Sequence, residues 1–92
     1  MSEIIIDMPD KFSVDEAGIF REKVRDHINN GTASFLLDFS HCSFIDSTGL
    51  GVIVSSYKKC VEQGGKIRLK SLNPNVQKIF ELTRLTNVFE II

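Results

Sequence analysis

Two hydrophobic periods alternate along this chain, and that alternation narrows its possible folds more than any other feature. Ile4, Ile5 and Ile6 form a short apolar run closed by Met8-Pro9, the pattern of a buried strand. Ser13-Val14-Asp15-Glu16 then has the form of a capping box, with Ser13 at the N-cap and Glu16 three residues on. Behind it Ala17, Phe20, Val24 and Ile28 recur at helical spacing, and Asn29-Asn30-Gly31 supplies residues that tolerate left-handed geometry at a helix end. The cycle then repeats. Residues 34–39 read as a strand apolar on both faces, and residues 40–47 as a polar connection broken only by Phe44 and Ile45. From about Thr48 a second helix carries Leu50, Ile53, Val54, Tyr57 and Val61 on one side, until Gly64-Gly65 stops it. A third strand over 66–70 turns Ile67 and Leu69 inward. Asn73-Pro74 opens a third helix with Val76, Ile79, Phe80 and Thr83 at its apolar positions, and Phe89-Glu90-Ile91 ends the chain as a short strand. The order β-α-β-α-β-α-β predicts an α/β fold with right-handed crossovers: a mainly parallel four-stranded sheet with three main helices, as one domain over residues 1–92.

Size and charge restrict function next. Ninety-two residues leave little chain for a deep substrate cleft, which favours a binding or signalling module over an enzyme. Eleven Lys and Arg against twelve Asp and Glu give a net charge of −1, so no broad attraction to nucleic acid or anionic lipid is built in. No stretch approaches the roughly 18 apolar residues of a membrane span. The start, Met-Ser-Glu-Ile-Ile-Ile-Asp, lacks the basic region of a signal peptide. Cys42 and Cys60 form no C-x-x-C pair and read as reduced, structural thiols of a cytoplasmic protein.

One segment stands apart. In open parallel sheets, ligands and partners meet the loops at the carboxyl ends of strands. There Phe44-Ile45-Asp46-Ser47-Thr48-Gly49-Leu50-Gly51 places an acid, two hydroxyls and two glycines within six residues at a helix start. Free N–H groups and the dipole favour negative charge at such a place, so a hydroxyl there can cap the helix, hold an anion or be phosphorylated. Asp46 or Ser47 as a plain N-cap is the simplest reading. Glycine at a helix start costs about 0.5–1 kcal/mol relative to alanine, and Gly49 and Gly51 therefore point to a close approach of something to the backbone. Catalytic patterns fail nearby. Ile45 occupies the place where a hydrolase elbow needs glycine, Gly64-Gly65-Lys66-Ile67 lacks the P-loop spacing, and Gly49-x-Gly51 is a fragment of a dinucleotide fingerprint. His41 and Cys42 are neighbours in sequence, which rarely lets two side chains act as a nucleophile and its base. His27 and His41 offer Ser47 no obvious base, and the scattered histidines and cysteines offer no metal site.

The segment also resembles a known family. Leu37-Asp38-Phe39-Ser40 followed by Phe44 to Val52 is similar to the core motif of the STAS domain in bacterial anti-sigma factor antagonists. The likeness continues through Gly64-Gly65-Lys66-Ile67, Leu72-Asn73-Pro74, Val76, Phe80-Glu81-Leu82-Thr83 and Val88-Phe89-Glu90-Ile91. The resemblance implies partner switching by a non-enzyme without a cofactor. The unphosphorylated protein binds an anti-sigma factor that is also a serine kinase and frees a sigma factor, phosphorylation blocks binding, and a PP2C-type serine phosphatase resets the system. Carried over, the phosphoacceptor is Ser47, with Thr48 ranked behind it. The partner-binding residues are Asp46, Ser47, Thr48, Gly49, Leu50, Gly51 and Ser55. Lys58, Lys59 and Glu62 also lie on the outer face of that helix, where a solvated charged surface explains Lys59 and Glu62 better than contact does.

No direct contact with nucleic acid or membrane is implied, and the chain is expected as a monomer or weak dimer. An alternative keeps the fold and changes the job: an accessory subunit of a lipid ABC transporter, or a nucleotide-responsive regulator. One departure stands out. The family usually has an extra N-terminal strand and a G-E-L/I-D signature before the first helix. Here Asp10-Lys11-Phe12-Ser13 occupies the place of that signature, and Ser13 keeps a capping residue while removing an acid. The extra strand is expected to be lacking, leaving a sheet edge to be protected otherwise.

Overall fold

The apolar alternation closes into a four-stranded parallel sheet. A computed structural model describes residues 3–92. Strands β1 (Ile4–Asp7), β3 (Ser34–Asp38), β5 (Lys66–Lys70) and β6 (Glu90–Ile91) lie in the order in which they occur, all parallel. Three helices join them: α1 (Val14–Asn29), α2 (Ser47–Glu62) and α3 (Pro74–Leu82), the last followed by a tight helical turn at Leu85–Asn87. With strands in chain order and right-handed crossovers, the helices fall on one face of the sheet. Burial follows that geometry. Ile6, Phe35, Leu37, Ile67 and Leu69 face the helices and are buried, with Phe20, Val24, Val52, Ile53, Val76 and Phe80 above them.

The opposite face is polar. Arg68 reaches Glu3 through two hydrogen bonds of 2.7 and 2.8 Å and approaches Glu90 at 3.6 Å. Since Ile5, Leu36 and Arg68 are register partners, this pairing shelters Leu36 on a face that no helix covers. The strand over 34–38 is thus apolar on both faces for two different reasons. In β1, Ile6 is buried and Ile5 is 61% exposed, so the isoleucine run is a half-covered edge strand and not a buried one. Among the described residues no strand pairs with its outer edge.

Three further expectations need correction. Residues 40–47 are not merely a connection, because Phe44–Ile45 forms strand β4, which pairs in parallel with a two-residue strand β2 at Lys11–Phe12. Second, the Ser13–Glu16 pair does not cap α1. Ser13 Oγ donates to the Glu16 carboxylate at 3.2 Å, and no side chain bonds the first backbone N–H groups. Third, Val61 is 48% exposed, whereas Ser56 and Cys60 are buried on α2. Thr83 likewise lies exposed just past α3, donating back to the Ile79 carbonyl at 2.8 Å.

Candidate functional site at the start of the second helix

The β2–β4 ladder is short, but it decides where two helices begin. Phe12 pairs with Ile45, and α1 and α2 start two residues later, after Ser13 and Asp46. The ladder is bolted by the Ser43 and Phe44 N–H groups donating to the Asp10 carbonyl at 2.8 and 3.2 Å, with the Asp46 N–H reaching the Phe12 carbonyl at 3.4 Å. The Ser43 hydroxyl also donates to the Asp10 carboxylate. Two helix N-termini therefore lie side by side, each with the positive end of its dipole toward solvent.

At α2 the cap is Asp46. Its Oδ1 accepts from the Gly49 N–H at 2.8 Å, and its backbone is extended. The capping reading of Asp46 is thus right, and it leaves Ser47 free. Ser47 is the first helical residue, and both it and Thr48 are exposed. Among the described residues no partner holds either hydroxyl. Because Asp46 satisfies Gly49, the N–H groups of Ser47 and Thr48 are the ones left pointing at solvent.

The two glycines of the motif divide. Gly49 is buried, and a Cβ there would lie 2.4 Å from the Phe12 carbonyl oxygen and 2.7 Å from its ring. The close approach expected at Gly49 is β2 crossing over the helix start. Gly51 is exposed, with nothing within 4 Å of an added Cβ, so no part of the chain approaches it. Leu50 is half-buried against the core, and Ser55 is exposed, its hydroxyl donating to the Val52 carbonyl at 3.1 Å. Of the expected contact residues, Ser47, Thr48, Gly51 and Ser55 are on the surface. Asp46 and Gly49 shape it from below.

Two exposed apolar residues outside the expected contact set flank these positions. Val14, first in α1 as Ser47 is first in α2, is 64% exposed, and Phe44 is 49% exposed. They give the anion-favouring helix starts an apolar rim. Asn73 was legible as the start of α3. Its side chain does two jobs: Oδ1 accepts from the Val76 N–H at 2.9 Å, while Nδ2 donates to the Cys42 carbonyl at 2.7 Å. It thereby ties α3 to the loop that leads into the site. The adjacent His41 and Cys42 diverge. His41 approaches the Ser40 hydroxyl at 3.4 Å, Cys42 donates to the Phe44 carbonyl at 3.3 Å, and burial pushes the Cys42 thiol above its ordinary value.

This arrangement can be set against known proteins. The STAS domain family model matches residues 2–92. The chain belongs to the STAS domain family. This STAS domain is 30% identical over 90 residues to the anti-sigma-B factor antagonist of Bacillus subtilis, covering 98% of this chain and 82% of that protein. The crystal structure of a Thermotoga maritima protein assigned to the anti-sigma factor antagonists has a TM-score of 0.84 and 33% identity. It spans 95% of this chain and 77% of that one. The anti-sigma factor antagonist SpoIIAA in its unphosphorylated form shares the fold, with a TM-score of 0.77 at 19% identity over 96% of this chain and 76% of that one. The same fold also recurs in a murine Slc26a9 anion transporter, at 21% identity and a TM-score of 0.70 over 90% of this chain and 14% of that one. The fold alone therefore does not decide the job. No described helix of this STAS domain is long and apolar enough to cross a membrane.

Proposed function

We propose that this STAS domain is a cytoplasmic anti-sigma factor antagonist that works by partner switching, with Ser47 as its switch. The observation that carries the reading is the state of Ser47: exposed, first in α2, with its hydroxyl unengaged and its neighbour Asp46 already serving as the cap. A serine whose hydroxyl held the cap would have to break that bond to be modified. Ser47 is free to enter a kinase site without disturbing the helix. The likeness to the Bacillus subtilis antagonist, over 98% of this chain and 82% of that protein, supports the same job.

In the unphosphorylated state the partner, an anti-sigma factor with serine kinase activity, docks over Ser47, Thr48, Gly51 and Ser55 and against the Val14 and Phe44 rim. Phosphorylation adds about −1.5 to −2 charges. The free Ser47 and Thr48 N–H groups and the dipole accept that charge, worth about 0.3–1 kcal/mol, so the domain stays folded. Binding is lost because a doubly charged group, beside the Asp46 carboxylate, would have to be stripped of water in the interface. A PP2C-type phosphatase removes the phosphate and restores binding.

The test is affinity capture of the native partner by the wild-type chain, with identification by mass spectrometry and mapping of any phosphate. An anti-sigma kinase that phosphorylates residue 47 and binds Ser47→Asp at least tenfold more weakly than wild type supports the reading. A Ser47→Asp chain that binds the kinase as tightly as wild type refutes it. Recovery of transporter subunits with Ser47 unmodified transfers the domain to an accessory role.

A further inference from the structure

The parallel β2–β4 ladder sends α1 and α2 off side by side in the same direction, and the seam between them leads away from Ser47. On α2, Ser47, Gly51, Ser55 and Lys59 succeed one another every fourth residue, all exposed, as one stripe along the helix. On α1 the facing stripe is Gly18, Arg21 and Arg25. An added Cβ at Gly18 or Gly51 would meet no atom within 4 Å, so the stretch of seam near Ser47 is open. Farther along, it deepens into a hollow of about 310 Å³ lined by Arg21, Val24, Arg25, Ser55, Ser56 and Lys59. A second hollow of about 300 Å³ continues from Arg25 and Lys59 to Glu62.

Three cations thus line one groove in a chain whose net charge is −1. Among the described residues, ion pairs form on the sheet side, at Arg68 and Lys70; none engages Arg21, Arg25 or Lys59. Glu62 is the carboxylate that faces these cations from the lining of the second hollow, and it does not balance three. A groove of uncompensated positive charge raises the local concentration of anions and steers an acidic partner to one register. The charge is also spread. Arg21 and Arg25 are a full turn apart on one helix, Lys59 lies on the other, and Lys59 is about 18 Å along α2 from Ser47. That spacing suits an extended run of carboxylates better than one compact anion.

We propose that this groove receives an acidic segment of the protein that covers Ser47, with carboxylates set against Arg21, Arg25 and Lys59. The identity of that protein rests on the partner-switching reading; the acidic chemistry of the segment rests on the groove. Docking then has two parts. The Ser47 end reports phosphorylation, and the cationic end supplies orientation and a salt-dependent association rate.

The experiment titrates the intact 15N-labelled chain with a short helical peptide bearing glutamates along one face, with its glutamine counterpart, and with inorganic triphosphate, at low and high salt. Expected are amide shifts confined to residues 18–28 and 51–63 with the glutamate peptide alone, weakening as salt rises. The Arg21→Gln/Arg25→Gln/Lys59→Gln chain, with an unchanged circular dichroism spectrum, should bind that peptide about tenfold more weakly or worse, while Lys78→Gln, exposed on α3, stays within about twofold of wild type. Shifts elsewhere on the surface, or equal binding by the triple variant, overturn the proposal. Binding of triphosphate without the peptide overturns it too, in favour of a small-anion site. The captured anti-sigma partner separates the two readings. If it responds to Ser47 yet ignores the triple variant, the groove fails and the switch stands. If the peptide fills the groove and no partner responds to Ser47, the switch fails and the groove stands.

Discussion

Replacing Gly49 and Gly51 by alanine, one at a time, puts the site's construction to a sharp test, because the same change two residues apart should have opposite signs. At Gly49 the new Cβ would lie 2.4 Å from the Phe12 carbonyl oxygen, 2.7 Å from its ring and 3.2 Å from Ile45 Cγ1. An ordinary contact begins near 3.4 Å, so about 1 Å of separation must open. The main obstacle is backbone, held by the ladder, and cannot rotate away. Overpacking of this kind costs about 1–3 kcal/mol, at the upper end here, and alanine's better helix propensity returns about 1 kcal/mol. The net expectation is a loss of about 1–2 kcal/mol, or a fall in Tm of roughly 4–16 °C for a domain of this size. Gly51 is helical, exposed and unobstructed, so alanine there should stabilise by about 0.5–1 kcal/mol and raise Tm. Urea and thermal unfolding followed by circular dichroism measure both. If Gly49→Ala matched wild type, or Gly51→Ala were equally destabilised, the claim that Gly49 exists to let β2 cross the helix would be wrong. Partner affinity adds a second readout: Gly51→Ala, though more stable, places a methyl on the proposed docking stripe and should bind more weakly.

Asn73→Ala removes the α3 cap and leaves the Cys42 carbonyl without its side-chain donor; a loss of about 1–3 kcal/mol is expected in urea unfolding. Asn73→Asp keeps the cap acceptor and loses the donor, so it should fall between Ala and wild type. Burial pushes the Cys60 thiol up to about 11 and raises Cys42 as well; in the native protein at pH 8 neither should react with an aromatic disulfide reagent over minutes, and both should react at once in denaturant. The Arg68 guanidinium, through its hydrogen bonds, holds the Glu3 carboxyl below its ordinary value of 4.5. The unfolded chain then binds that proton more readily, so this stability is complete above about pH 4.5 and is lost as pH falls through the depressed native range. Glu3→Gln should flatten that part of the stability profile in acid unfolding.

Much of this domain is readable from its sequence, because the periods of its apolar residues are clean. The four sheet strands and three helices were all legible, as was the Asp46-Ser47 helix start. What escaped was short or cooperative. A two-residue strand such as β2 has no period to detect, and its partner Phe44–Ile45 looked like a break in a polar loop. The capping box at Ser13 failed because a hydroxyl and a carboxylate three residues apart can bond each other instead of the backbone, and spacing alone does not distinguish the two. Val61 continues the half-buried row of Leu50, Val54 and Tyr57, which flanks the buried face set by Val52, Ile53, Ser56 and Cys60, and so it ends exposed. The groove cations were visible only as charges on two separate helices. Their convergence depends on the ladder that aligns those helices.

The ladder itself has a consequence for motion. It is two residues long on each side, and its bond from the Asp46 N–H to the Phe12 carbonyl is 3.4 Å long. The main sheet, by contrast, pairs five residues of β3 with five of β5. Local opening costs least where the fewest contacts are broken, so this joint should part while the β3–β5 pairing stays closed. Its amides would then exchange with solvent well before those of Phe35 or Leu69. Under the proposed switch, the place a kinase would grip is thus also one where the backbone yields before the sheet centre, which serves as the anchor against which it bends.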